Sequence, residues 1–116
     1  VQAQSDRLRE RLDEMAGLGL RLAGYGAAAK ATVLLNYVDP PAGRISFVAD
    51  RSPHKQGRLI PGVRVPIRPP GALLDEQPDV VLLLAWNLRE EVLDQQAEFR
   101  RRGGRFLVPL PELELL

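Results

Sequence analysis

The chain has no cysteine, a single histidine, one methionine and only six aromatic residues among its 116. Without cysteine there is no disulfide framework and no thiolate-ligated zinc, and one histidine alone cannot build a metal cluster, so no metal is expected in this chain. No stretch approaches the 18 or so consecutive apolar residues that a transmembrane helix needs, which leaves no membrane partner to expect. Charge of one sign is also lacking. Sixteen basic residues oppose fifteen acidic ones for a net +1, far from the basic field of a nucleic-acid binder. The chain starts at Val1 with neither an initiating methionine nor a basic-then-apolar leader, which reads as a piece of a longer cytoplasmic protein.

What is present is an alternation of strand-length apolar runs with helical patterns, the order of an α/β domain with a mainly parallel sheet covered on both faces. Ser5 to Met15 reads as an amphipathic helix with Ser5 as N-cap and Leu8, Leu12 and Met15 on one face. Strands are expected at Leu20–Ala23, Ile45–Ala49, Val63–Ile67, Val80–Ala85 and Arg105–Pro109. Helices are expected over about Ala28–Tyr37 and from Asn87, with Glu90 completing a capping box, to about Arg102. Asp39 to Gly43 breaks the first of these, and Leu113 to Leu116 is a leucine-rich tail. Residues 1–116 thus read as one Rossmann-like αβα domain with the N-terminal helix inside it, its five strands in the order 3-2-1-4-5.

The most informative stretch is Gly24-Tyr25-Gly26-Ala27-Ala28-Ala29-Lys30, where a strand runs into Gly-x-Gly-x-x-Ala and then a helix. Gly24 suits a tight turn, Gly26 a close approach of phosphate to backbone, and Ala29 close helix packing; the alternative is a plain strand-to-helix turn with no ligand. Lys30, in the first helical turn, opposes the helix dipole unless an anion sits between them. In the expected topology the ends of strands one, two and four meet in one crevice. That groups Gly24, Tyr25, Gly26, Ala27, Asp50, Trp86 and Asn87, with Lys30, His54 and Lys55 bordering them.

Each of these carries a plainer reading as well. Tyr25 either packs against a neighbouring domain or stacks on a ligand, Asn87 either contacts a ligand or caps its helix, and His54 has no obvious acidic or nucleophilic partner that would make it a general base. Arg100-Arg101-Arg102 reads as a solvated helix end. Asp50 would meet a ribose hydroxyl in a dinucleotide site, or orient the loop that follows it.

The strings Gly24–Lys30, Leu34-Leu35-Asn36-Tyr37, Asp50 to Arg58 with Pro61-Gly62, Trp86-Asn87-Leu88 and Gly103-Gly104-Arg105-Phe106 together resemble the C-terminal domain of the sugar C-methyltransferases, from about Gly24 to Pro111. That resemblance implies a domain that binds a TDP-linked deoxysugar and partners a domain holding S-adenosylmethionine, with zinc in a further domain. It implies no catalytic residue and no cofactor in this chain. Since a thymidine nucleotide lacks the 2′-hydroxyl, Asp50 would then bind the 3′-hydroxyl or order its loop. An NAD(P)-binding domain of a dehydrogenase and a purely structural or oligomerisation domain are the competing readings.

Overall fold

Strands β1 (Leu22–Tyr25) and β4 (Val80–Leu83) are buried along their whole length, as uninterrupted apolar runs must be when both faces of a parallel sheet are covered. The computed structural model describes residues 2–27, 29–38, 44–109 and 113–116. The expected break at Asp39 to Gly43 lies outside the described residues. In chain order the remaining elements are α1 (Gln2–Gly17), α2 (Ala29–Val38), β2 (Ile45–Ala49), β3 (Ile67–Arg68), α3 (Ala72–Glu76), α4 (Arg89–Gln95), α5 (Ala97–Arg101), β5 (Arg105–Val108) and β6 (Glu114–Leu115).

The sheet runs β3-β2-β1-β4-β5-β6, parallel throughout except for the last pair. The order of its first five strands is the expected 3-2-1-4-5. Two cores sandwich it. Leu8, Leu12 and Met15 of α1 and Ala31 and Leu35 of α2 cover one face; Ala72 and Leu73 of α3, Val92 of α4 and Phe99 of α5 cover the other. The register of the central pair is set at its start, where the Arg21 N–H donates to the Asp79 carboxylate (2.7 Å) and the Asp79 N–H donates back to the Arg21 carbonyl (2.9 Å). Between β1 and β2 the pairing passes from Leu22–Ile45 to Gly24–Val48. β2 therefore spends one residue more than β1, which turns Phe47 and Ala49 toward one core and Ile45 and Val48 toward the other.

Four expectations need correction. The sheet has six strands, because the leucine-rich tail pairs antiparallel with β5 (Leu107–Leu115) and satisfies an otherwise open edge. Leu113 and Leu115 pack against one core and Leu116 against the other. The third strand is cut to two residues, because Gly62 and Arg64 take positive φ (85° and 60°) and fold 59–66 into a turn closed by the Ile60 N–H to the Val65 carbonyl. The helix after β4 is a short 3-10 turn at Trp86–Leu88, then α4 and α5 separated at Gln96; neither the turn nor α4 has a side-chain cap, so Asn87 is no N-cap. Ser5 lies inside α1, which begins at Gln2, and is not its N-cap. α3 was not anticipated: the Ala72 and Leu73 N–H groups donate to the carbonyls of Pro69 and Pro70, and Gln77 closes the helix with φ 45°.

Candidate functional site

β1, β2 and β4 are neighbours in the sheet and point the same way, so the segments that follow them emerge side by side at one end. The glycine turn is accounted for by the chain itself. Gly26 takes φ 101°, and a Cβ there would stand 2.8 Å from the Ala85 Cβ and 2.9 Å from the Ala85 nitrogen. At Gly24 a Cβ would stand 3.0 Å from Leu84 Cδ1 and 3.2 Å from Val48 Cγ2. Two glycines thus let the β1 exit press against the segment leaving β4. The Tyr25 carbonyl accepts from the Leu84 and Ala85 N–H groups, and the Gly26 N–H donates to the Ala49 carbonyl at 2.8 Å.

Asp50 links two of the three segments. One carboxylate oxygen accepts the Ala27 N–H at 2.7 Å and the other accepts the Ser52 N–H at 2.8 Å, while Gln56 Nε2 donates to the Asp50 carbonyl at 2.8 Å. This carboxylate stands at the entry to α2, where a negative charge suits the helix dipole by about 0.3–1 kcal/mol. Asp50 therefore orders the loop after β2 and fastens it to the glycine turn. Further along that loop the Lys55 and Gln56 N–H groups donate to the Ser52 carbonyl, and Gly57 and Arg58 exchange hydrogen bonds with Ile67. His54 is exposed and Lys55 half-buried within it.

These contacts bring together Gly26, Ala27, Asp50 and Ala85, with His54 and Lys55 on the loop Asp50 holds and Trp86 and Asn87 directly after Ala85. Trp86 is half-buried against the second core and Asn87 is exposed. The backbone of Lys30 lies in the first turn of α2; its side chain is outside the described part. Three residues escaped the sequence reading: Arg51, Gln56 and Ala85. Arg51 had an available signal in its position between Asp50 and Ser52, whereas nothing local marks Ala85 as the surface against which Gly26 closes.

Tyr25 is 4% exposed, so its ring packs in the second core and has no face free to stack on a ligand. Its hydroxyl is buried with no hydrogen-bond partner among the described residues. Burial raises the phenol above its ordinary value of 10.0, with Arg51 pulling down and Asp50 pushing up by smaller amounts. A raised folded-state value means that the folded chain holds this proton more tightly than the unfolded one. The contribution is complete below pH 10 and is lost as pH climbs from there through the folded value. Urea melts should therefore show stability falling above pH 10, and Tyr25→Phe should remove that part of the slope; an unchanged alkaline slope in Tyr25→Phe would assign it to another group.

A shallow depression of about 560 Å³ lined by Ala97, Arg100, Arg101, Gly103, Gly104, Arg105 and Leu116 lies at the start of β5. It is at the opposite end of the parallel strands from the glycine turn. Among the described residues no group of three His, Asp or Glu side chains could hold a metal ion, and no helix is long and apolar enough to cross a membrane.

The family model for the C-methyltransferase C-terminal domain matches residues 1–111. C-methyltransferase NovU of Streptomyces niveus is 41% identical over 106 residues, which is 91% of this chain and 25% of that protein. The chain thus spans a quarter of the length of this curated relative. With nearly every residue inside the match, this αβα layer structure and its three converging segments belong to the C-methyltransferase C-terminal domain family.

Proposed function

We propose that this chain is the TDP-deoxysugar-binding, Rossmann-like C-terminal domain of an S-adenosylmethionine-dependent sugar C-methyltransferase. The observation that carries the proposal is the convergence of Gly26–Ala27, Asp50–Lys55 and Trp86–Asn87 beyond the carboxyl ends of adjacent parallel strands in a member of this family. Open α/β sheets take ligands there, where the strand order reverses. Gly24, Tyr25, Gly26 and Ala27 form the floor through their backbone, and Lys30, Asp50, His54, Lys55, Trp86 and Asn87 form the rim. Binding energy gathered from the nucleotide, remote from the reacting carbon, positions the sugar for methyl transfer. In this reading S-adenosylmethionine, zinc and the catalytic base all belong to other domains of the parent enzyme, so the chain alone is a binding partner and not a catalyst.

A dinucleotide site is less well supported, because both Asp50 oxygens already accept backbone N–H groups and the carboxylate is turned toward the loop. The structural reading draws support from the glycines, whose packing needs no ligand. Calorimetric titration of the parent enzyme and of this chain with TDP and with NADH separates the three. TDP should bind and NADH should not, and this chain alone should transfer no methyl group. NADH binding without TDP binding would favour the dehydrogenase reading, and binding of neither would favour the structural one.

A further inference from the structure

Charge is unevenly distributed along the chain. Between positions 51 and 74 the sequence carries Arg51, Lys55, Arg58, Arg64 and Arg68 and no acidic residue, so the remainder of a chain with net charge +1 is net negative. Arg68 is engaged, with Glu76 at 3.4 Å and over the Phe47 ring at 5.3 Å. Arg51 is exposed and makes no hydrogen bond or ion pair among the described residues. It stands next to Asp50, whose carboxylate fastens this loop to the glycine turn.

The glycine turn offers an anion little by comparison. The Gly26 N–H is spent on the Ala49 carbonyl and the Ala27 N–H on the Asp50 carboxylate. A diphosphate brought there would lie against a carboxylate that already serves as the anion of the α2 entry, and like charges repel. Arginine, by contrast, presents a rigid fork of donors that matches phosphate oxygens two at a time.

We propose that Arg51, with Lys55 on the same loop, holds the diphosphate of the nucleotide sugar, and that Asp50 keeps the glycine turn closed to it. The proposal rests on the nucleotide-sugar reading above. Asp50 is then a positioning residue, which sets the loop that carries Arg51.

The test is calorimetric titration of the parent enzyme and its variants with TDP and with thymidine at two salt concentrations. Arg51→Ala should weaken TDP binding about 10- to 100-fold, the range for losing a charge-assisted hydrogen bond, while thymidine affinity stays unchanged and the salt dependence of TDP binding flattens. Arg51→Lys should recover part of the loss. TDP binding by Arg51→Ala as tight as the parent's would sink the Arg51 role and leave the nucleotide-sugar reading standing. Equal losses for TDP and thymidine would also sink it, by showing that Arg51 shapes the loop and does not hold phosphate. Failure of the parent enzyme to bind TDP would overturn both proposals.

Discussion

Gly26→Ala should lower the unfolding free energy of the ligand-free chain by about 2–5 kcal/mol, from a backbone conformation that costs an alanine roughly 1–3 kcal/mol and from a comparable cost of overpacking. The φ of 101° is one that only glycine adopts freely, and the new methyl would meet Ala85 Cβ at 2.8 Å and the Ala85 nitrogen at 2.9 Å. Backbone cannot step aside as a flexible side-chain tip can. Urea denaturation without nucleotide is the measurement. A variant as stable as the parent that nevertheless fails to bind TDP would show instead that Gly26 is there to admit phosphate.

Phe99→Ala should cost about 3–5 kcal/mol, the usual result of emptying a buried aromatic site. Phe99 is wholly buried and meets Phe106 edge to face, with ring centroids 5.6 Å apart. It also lies directly over Gly104, where a Cβ would run into the ring carbons. Gly104→Ala should therefore destabilise the parent markedly but cost much less in the Phe99→Ala background, because the cavity receives the added methyl. Thermal melts of the double-mutant cycle test this coupling. Additive losses would mean that the added methyl meets something other than the Phe99 ring.

Much of the layout was legible because it is written locally. An uninterrupted apolar run between polar ends marks β4 as central, and Ile45–Ala49 matches β2 residue for residue. Leu8, Leu12 and Met15 recur at the helical spacing and do enter the core. The misses share a cause. The Leu113–Leu116 tail becomes a strand because β5 has an open edge to pair with, and 63–67 fails to extend as one because Arg64 turns the chain back. Neither fact lies in the periodicity of its own segment.

Local patterns along the chain establish the α/β class, the order of the first five strands, the membership of the C-methyltransferase C-terminal domain family and the set of segments that could meet at a crevice. Hydrophobic period, chain order and the run of unusual strings are properties of neighbouring residues, and they survive without coordinates. What the residues of those segments face is settled by folding alone. Asp50 turns to Ala27, 23 positions away, and closes the helix entry. Gly26 is required by Ala85, Tyr25 is sealed in the core, and Arg51 is left without a partner among the described residues. Those outcomes are set by contacts between segments far apart in the chain. A Gly-x-Gly turn reads the same in sequence whether a phosphate or a neighbouring backbone lies against it.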